Sequence, residues 1–276
     1  MAGKKYVNTE LQNQKWLREG RGSGHGSDYK PWLTVRDLSS QGRSHRVFGH
    51  KSQRTHHLLS DLELAVFLLL EWSRSTVDIR EQFPLIRDDT RSIAQNEGIK
   101  HPSVRGVDQV MTTDFLIDAK EPFQKQFAVQ VKYGESFRDE RTIEKLDLER
   151  CYWRQKGIPW VAITEQDIDI VIKKNIEWLY PAQTDDITTA KRIPELMAAL
   201  PAAISRFPEL TIIEACKRID LAYGLELGQS LQDLRLLMAN RLVIFDIRKP
   251  VHQLKISDLA FMQLSEMEPL LYVENQ

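Results

Sequence analysis

A glutamine and a lysine two positions apart, Gln130 and Lys132, interrupt a segment that otherwise has the apolar composition of a buried β-strand. Side chains alternate between the two faces of a strand, so both polar groups would project from the same face. A lysine ammonium there requires an anionic partner, because burying an unpaired charge costs free energy. If this strand pairs as a hairpin with the segment before it, Asp114 comes near both residues, and Glu63, at the start of an earlier helix, supplies a second carboxylate.

These four residue types are suited to the hydrolysis of a phosphodiester bond. Hard divalent cations prefer oxygen ligands, which two carboxylates and an amide provide. Two such cations can stabilise the attacking and the leaving oxygen together, and a neighbouring lysine can position the water and offset charge on the phosphate. The order Glu…Asp-x15-Gln-x-Lys is a variant of the PD-(D/E)xK nuclease pattern. It predicts a metal-dependent nuclease with these four side chains as its catalytic residues.

Each position also has a purely structural interpretation. Glu63 stands three residues after Ser60, the spacing of a capping box at a helix N-terminus, and taken alone the pair favours that interpretation. Asp108 and Asp118 lie on either side of Asp114, and either of them could be the acid instead, although Asp118 also fits a turn. The glutamine–lysine pair, taken alone, fits an exposed sheet face. The predicted sheet, which would bring these residues together, favours a catalytic site over the structural interpretations.

The elements that would carry these residues include both helices and strands. Periodicity, caps and breaker residues predict a helix at 60–73, strands at 76–85, 107–117 and 127–132, a helix at 139–156 and a strand at 160–164. We predict irregular structure at 87–105 and a basic hairpin made of 43–47 and 53–58. This order predicts an α/β domain with a mixed sheet flanked by helices.

The composition changes after residue 168, and we place a domain boundary there. Residues 1–168 are predicted to form a catalytic domain with a basic N-terminal arm, and residues 169–276 a mainly helical domain. In the second part, helices are predicted at 168–179, 194–200, 211–223 and 230–238, followed by an apolar strand at 241–248. Three helices closed by a strand are typical of a winged-helix-like module, and a helical packing domain without nucleic-acid contact is the alternative.

The charge of the chain is divided unevenly. The net charge is −1, but residues 1–58 hold eleven Lys and Arg against four Asp and Glu, and five of the seven His. A basic arm on an acidic body fits an anionic partner such as nucleic acid as well as it fits a solvated surface. The glycines of residues 20–26 do not match the Walker pattern, so they predict a flexible loop and no ATPase.

Composition excludes several other classes of protein. Hydrophobic residues make up 42% and charged residues 28% of the chain, as in a globular protein. The longest apolar run, 64–70, is far shorter than the roughly 20 residues that cross a bilayer, so we expect no membrane segment. Two cysteines exclude a disulfide framework and a four-cysteine zinc site. We therefore expect a cytoplasmic protein.

Beyond the four-residue pattern, long runs of the chain resemble the TnsA family, the endonuclease subunits of heteromeric Tns transposases. The runs include PWLTV at 31–35, GRSHR at 42–46, HHLLSDLELAVF at 56–67, DIREQFPL at 78–85, GVDQV at 106–110, TDFL at 113–116, QVK at 130–132 and NIEWLY at 175–180. The resemblance covers most of the chain and weakens after about residue 181. It implies a restriction-endonuclease-like N-terminal domain that cuts the 5′ ends of the transposon.

The resemblance also implies roles for individual residues. Glu63, Asp114 and Lys132 fall on the family's catalytic positions. It implies two Mg²⁺ ions, for which we expect Mn²⁺ to substitute, with Asp114 bridging them and Glu63 holding one. Gln130 and the backbone carbonyl of Val131 would hold the other ion, and Lys132 would orient and help activate the attacking water.

Two further expectations concern the surroundings of this site. Glu149 resembles a family position beside the active site, where it would orient Lys132, and a helix-surface charge is the alternative. Gln130 removes one negative charge relative to the general nuclease pattern, in which a carboxylate stands there. We therefore expect weak Mg²⁺ binding until a DNA phosphate completes the coordination.

The resemblance finally implies partners. A TnsB-type DDE recombinase would cut and join the 3′ ends of transposon-end DNA, and the C-terminal domain would contact a TnsC-type AAA+ regulator. Two competing functions are a stand-alone restriction-type nuclease that needs no partner and a non-catalytic DNA-binding scaffold. A metallohydrolase built on His56 and His57 is disfavoured, because adjacent residues of a strand face opposite ways.

Overall fold

The computed structural model describes residues 9–37, 43–120, 125–183 and 187–262 of the chain. Parts of the predicted basic arm, at 1–8 and 38–42, lie outside the described residues, as does the end of the chain from 263. The chain forms two compact units, Met1–Ile168 and Asp169–Gln276. Among the helices that the structure describes, none combines the length and the apolar character needed to cross a bilayer.

The first unit contains both helices and strands. In chain order they are α1 (Glu10–Arg18), β1 (His45–Gly49), β2 (Arg54–Leu58), α2 (Asp61–Trp72), β3 (Thr76–Pro84), α3 (Arg87–Asn96), β4 (Ser103–Val104), β5 (Val107–Asp108), β6 (Thr112–Ala119), β7 (Gln126–Val131), α4 (Glu140–Gln155) and β8 (Trp160–Ile163). Four strands form the central sheet in the order β3-β6-β7-β8. β3 and β7 run antiparallel to β6, and β8 runs parallel to β7. The predicted α/β class with a mixed sheet is confirmed.

Local capping explains where the two long helices of this unit begin. The Ser60 hydroxyl accepts a hydrogen bond of 3.0 Å from the Glu63 N–H and so caps α2. The Asp139 carboxylate accepts one of 3.1 Å from the Thr142 N–H and caps α4. Each satisfies a backbone donor that has no partner within the helix. Helix α2 packs against β3 and β7, and α4 packs against β8, so the helices cover the sheet.

The basic hairpin forms as predicted, with β1 antiparallel to β2, but its charges do not all face solvent. Arg46 is exposed, whereas Arg54 and His56 point into the core. The loop at 20–26, which the glycines predicted to be flexible, packs against β3. Gly22 has φ +78°, and a Cβ added there would lie 2.1 Å from Pro84, so only glycine fits this contact.

Two predictions for the first unit are wrong. Residues 87–105 were predicted to be irregular but contain α3 and β4. Helix α3 buries only Thr90, Ile93 and Ala94, which are spaced by three and four residues as on one helix face. This buried stripe covers a single turn, so it is too short to indicate a helix in a polar segment. The strand predicted at 107–117 divides into β5 and β6, because β5 pairs with β4 in a separate ribbon.

The second unit is mainly helical. Its elements are α5 (Ile170–Leu179), α6 (Ile187–Ile204), α7 (Ile212–Tyr223), α8 (Gln229–Ala239), β9 (Val243–Ile244) and β10 (Ala260–Phe261). Helix α6 is much longer than the predicted 194–200, because Pro194 and Pro201, which suggested boundaries, lie inside it. The strand predicted at 241–248 is reduced to β9, paired with β10. It ends early because Asp246 begins a turn, accepting hydrogen bonds from the N–H groups of Arg248 and Lys249.

Candidate active site

The carboxylate of Asp114 is the centre of the candidate site. It lies on β6, with one oxygen, Oδ2, accepting a hydrogen bond of 2.8 Å from the Val131 N–H and lying 3.5 Å from the Lys132 Nζ. The other oxygen, Oδ1, accepts a hydrogen bond of 3.1 Å from the Gln82 Nε2. The backbone N–H of Asp114 in turn donates to Gln130 Oε1 over 3.0 Å. The structure therefore places Asp114 next to Gln130 and Lys132, as the sequence predicted.

Strand pairing brings these groups together. In the antiparallel ladder of β6 and β7, Phe115 is opposite Val129, so the residue before Phe115 lies beside the residues that follow Val129. Asp114 is thus adjacent to the Gln-x-Lys segment at the end of β7. The other two acids considered from the sequence lie elsewhere. Asp108 pairs with an arginine of α3, and Asp118 with an arginine of β3.

Lys132 is held between a carbonyl and an acid. Its Nζ donates to the Val131 carbonyl oxygen over 2.9 Å, and its side chain is 33% exposed. Burial opposes the charged form, but the nearby carboxylates of Asp114, Glu149 and Glu63 outweigh it and raise the pKa of the Lys132 ammonium. The amine is therefore a protonated donor facing the acids.

Glu63 serves both as a helix cap and as a member of the acidic cluster. Its carboxylate accepts hydrogen bonds from the Leu59 N–H, at 2.9 Å, and from the Ser60 hydroxyl, at 3.1 Å. The capping interpretation is thus correct, except that the carboxylate reaches the residue before the cap. Burial, followed by the negative charge of Asp114, raises the pKa of Glu63 to about 8. Only 7% of Glu63 is exposed, so two carboxylates share one poorly solvated region.

Glu149 lies on α4 and is also buried. It accepts hydrogen bonds from the Thr113 hydroxyl, at 2.7 Å, and from the Trp160 indole N–H, at 2.8 Å. Burial raises the pKa of Glu149 to about 8, and its charge contributes to the raised pKa of Lys132. The helix-surface alternative is therefore wrong. Glu149 influences Lys132 through its charge, whereas its hydrogen bonds join it to Thr113 and Trp160.

The donor set suits a hard divalent cation. A surface cavity of about 310 Å³ is lined by polar side chains that include Gln130, Lys132 and Glu149. The candidate ligands are the carboxylates of Asp114 and Glu63, which do not line this cavity, together with the Gln130 amide and the Val131 carbonyl. Mg²⁺ and Mn²⁺ take oxygens of these kinds in proteins. Burial, followed by the charge of Asp114, disfavours the ionised form of Glu63 and raises its pKa, and a bound cation would favour that ionised form.

A second carboxylate cluster lies away from these residues. His25, Asp78 and Asp118 have ligand atoms within 4.8 Å of one another. The Asp118 carboxylate already accepts hydrogen bonds from Arg80, at 2.9 and 3.1 Å, and from Gln126, at 2.6 Å. Because the guanidinium already neutralises this carboxylate, the cluster is an ion-pair network rather than a set of open ligands.

Sequence reasoning missed two residues of the site. Gln82 holds one oxygen of Asp114 and lies on β3, in a segment that was noted only for its extended conformation and its resemblance to the family. Thr113 links the Glu149 carboxylate to the Trp153 indole, with which it forms a hydrogen bond of 2.7 Å. Neither belongs to a spacing motif. Apart from the family resemblance of the runs that contain them, the available signal was polar residues inside an otherwise buried strand.

Comparison with known proteins defines the class of protein first. A family model described as the TnsA-like endonuclease N terminal matches residues 73–165, and one described as the TnsA endonuclease C terminal matches residues 167–247. The chain is therefore an endonuclease, consistent with its mixed sheet and clustered acids. It is 53% identical over 270 residues, 97% of each chain, to the Transposon Tn7 transposition protein TnsA of Escherichia coli. The chain belongs to the TnsA family.

Proposed function

We propose that the chain is the metal-dependent endonuclease subunit of a cut-and-paste transposase, and that it hydrolyses phosphodiester bonds at the 5′ ends of the transposon. The observation that carries this proposal is the contact of one buried carboxylate, Asp114, with both the Lys132 ammonium and the backbone of the same strand end. The similarity to a Tn7 transposition protein over nearly the whole chain supports the biological setting.

For the metal centre, we propose two Mg²⁺ ions, with Mn²⁺ as a substitute. Asp114 would bridge the ions, Glu63 would hold one, and Gln130 with the Val131 carbonyl would hold the other. When bound, the ions would stabilise negative charge on the attacking and leaving oxygens. The chain would contribute the orientation of the ligands and the Lys132 ammonium, which would position the water and offset charge on the phosphate.

The Lys132 amine would have to leave a hydrogen bond when the site is loaded. It donates to the Val131 carbonyl oxygen, the same oxygen that we assign as a metal ligand. A metal cation and an ammonium bound to the same oxygen would repel each other, because both are positively charged. Metal binding would therefore release the amine towards substrate, where it is needed. When it is ionised, Glu149 would favour the charged form of that amine and hold it near the acids.

We assign partners by the same reasoning. The substrate is transposon-end DNA, and a TnsB-type recombinase would cut and join the other strand. The second unit would be a winged-helix-like domain that contacts a TnsC-type AAA+ regulator. Its three helices α6, α7 and α8, followed by the short β9–β10 ribbon, fit the helices and wing of such a module.

Strand cleavage on defined ends tests the proposal. The purified chain would be mixed with a plasmid carrying both transposon ends, with and without the TnsB-type subunit, in Mg²⁺. We expect nicks at the 5′ ends only when both proteins are present, and none with Asp114→Ala. The matched control is Asp108→Ala, which removes an acid of the same unit that pairs with Arg91 and does not contact the site.

The outcomes separate the competing functions. Cleavage that survives Asp114→Ala would exclude the proposed site. Cleavage of the plasmid by the chain alone would support a stand-alone restriction-type nuclease. Strand transfer that proceeds unchanged with Lys132→Ala and Asp114→Ala would support a non-catalytic scaffold.

A further inference from the structure

We propose that Gln82 is a positioning residue of the nuclease site, whose side-chain amide fixes the orientation of the Asp114 carboxylate. The inference deepens the proposed function and rests on it. Gln82 lies on β3, is 2% exposed, and donates from Nε2 to Asp114 Oδ1 over 3.1 Å. It therefore holds the carboxylate oxygen that the Val131 N–H and the Lys132 ammonium do not contact.

The orientation of the Gln82 amide is fixed by its two partners. An ionised carboxylate only accepts hydrogen bonds, so the amide nitrogen must be the atom that faces Asp114. The amide oxygen then faces the other way, where it accepts a hydrogen bond of 3.0 Å from the Thr112 hydroxyl. A buried amide with both ends bonded has one conformation. The amide can therefore hold the Asp114 carboxylate in one orientation.

The backbone of Gln82 is in a conformation that a strand residue rarely adopts. Its φ of +48° lies in the left-handed region, which is strained for a residue with a side chain. Three other non-glycine residues have positive φ in the described part of the chain, namely Gln53, Arg105 and Arg241, and all three lie in turns. Gln82 alone among these four lies within a strand of the central sheet.

The residue before Gln82 is clamped by a buried ion network. The Glu81 carboxylate accepts hydrogen bonds from Arg54, at 2.8 Å, and from His56, at 2.8 Å. Burial opposes its ionisation, but His56 and Arg54 hold the pKa of Glu81 well below its usual range. The Gln82 carbonyl accepts a further hydrogen bond of 3.2 Å from the Trp32 N–H. The surrounding structure thus over-determines a strained residue, as is typical of functional sites.

This arrangement matters because Mg²⁺ tolerates little deviation from octahedral geometry. A carboxylate held on one oxygen only can rotate, and a bridging ligand that rotates presents the wrong lone pairs. Groups that orient metal ligands typically change metal affinity or activity by about 10–100-fold when they are removed. We therefore expect Gln82 to affect metal affinity even though it is not assigned as a ligand.

The decisive variant is Gln82→Asn. Asparagine is more tolerant of positive φ than glutamine, so the backbone should be retained. Its amide is one methylene shorter and cannot reach Asp114 Oδ1. A second variant, Gln82→Met, keeps the length of the side chain and removes the donor. The matched control is Gln53→Met, which changes the same residue type at a φ of +53° in the hairpin turn.

Two readouts separate positioning from stability. One is the rise in thermal unfolding midpoint as Mg²⁺ is titrated, which reports metal affinity without cleavage. The other is the Mg²⁺ concentration that gives half-maximal cleavage of transposon-end DNA with the TnsB-type subunit. We expect both Gln82 variants to need at least tenfold more Mg²⁺ in each assay, whereas Gln53→Met matches the wild-type protein.

The results can overturn this inference independently of the proposed function. If wild-type protein binds Mg²⁺ and cleaves, and either Gln82 variant that remains folded does so at less than tenfold higher Mg²⁺, the inference is wrong. If the wild-type protein itself neither binds Mg²⁺ nor cleaves, the proposed function has failed. If both Gln82 variants unfold, Thr112→Val is used, because it removes only the hydroxyl that orients the amide. A Mg²⁺ requirement raised less than threefold by Thr112→Val would then reject the inference.

Discussion

The ammonium of Lys132 donates to the carbonyl oxygen of Val131 over 2.9 Å. In the proposed site this oxygen is a metal ligand, so the lysine occupies a ligand position until a cation displaces it. The same amine lies 3.5 Å from the Asp114 carboxylate. Metal binding is therefore linked, in this proposal, to movement of the lysine, because a cation and an ammonium on the same oxygen would repel each other.

Replacing this lysine should separate metal binding from cleavage. Lys132→Met removes a positive charge and frees the Val131 carbonyl, so Mg²⁺ should bind at least as tightly as in the wild-type protein. Cleavage should fall by about 10²–10³-fold, because a donor to the transition state is lost. Lys145→Met is the control, since Lys145 lines the same cavity. Mg²⁺-dependent thermal stabilisation and strand cleavage are the measurements. A parallel loss of Mg²⁺ affinity would show that the lysine does not compete with the metal.

Glu149 should make the metal-free protein less stable at high pH. Its pKa is raised from about 4.5 to about 8 by burial, so the folded state holds a proton that the unfolded state loses. The contribution of Glu149 to the free energy of unfolding is fully present below about pH 4.5 and is lost as the pH rises through about 8. The loss is at most about 1.4 kcal/mol per pH unit. Glu149→Gln can still accept from Thr113 and Trp160, and it should flatten this dependence.

Urea unfolding of the metal-free protein between pH 5 and about pH 8.5 measures the effect. Some slope should persist in Glu149→Gln, because Glu63 titrates in the same window. The exposed residue Glu144 on the same helix provides the control Glu144→Gln. Identical pH profiles for the wild-type protein and Glu149→Gln would contradict the assigned titration.

Gln130 should limit metal affinity. Changing it to glutamate adds a negative charge while keeping an acceptor for the Asp114 N–H. We expect Gln130→Glu to bind Mg²⁺ about tenfold more tightly without DNA, because ligand charge sets affinity for hard cations. Isothermal calorimetry on the free protein measures this. Gln109→Glu, which adds the same charge to the cavity wall, should have less effect. Tight two-site binding by the wild-type protein would contradict the role given to Gln130.

The two arginines of the basic hairpin should behave differently. Arg46 is exposed on β1, so Arg46→Ala should weaken DNA binding and lower the slope of log affinity against log salt by about 1. Arg54 is buried against Glu81, so Arg54→Ala should cost about 3–5 kcal/mol of stability. Fluorescence anisotropy with labelled end DNA and urea unfolding are the measurements. A salt slope unaltered by Arg46→Ala would exclude this residue from the DNA interface.

The sequence was informative where local chemistry decides the structure. The cap at Ser60, the hairpin of β1 and β2 and the strands β3 and β7 all form as predicted, because apolar alternation and capping act over a few residues. Asp114 could be identified because a hairpin between neighbouring strands fixes its partners. Predictions failed where tertiary contacts decide, as in α3 and in α6 with its two prolines.

The supporting part of the site could not be predicted from the sequence. Gln82 and Asp114 are 32 residues apart, and their contact depends on the sheet order β3-β6-β7. The left-handed backbone of Gln82 lies next to a buried ion network whose members come from different strands. The runs that contain these residues resemble a family, but their residue types indicate neither the contact nor the backbone conformation.

A crystal structure of the full chain soaked in Mn²⁺, with the ion located by its anomalous scattering, tests the central claim most directly. If the proposed site is correct, the ion lies within coordination distance of both Asp114 and Glu63, and Lys132 has moved off the Val131 carbonyl. An ion bound instead at the second cluster, beside His25 and Asp78, with the Asp114 region unchanged, would contradict it.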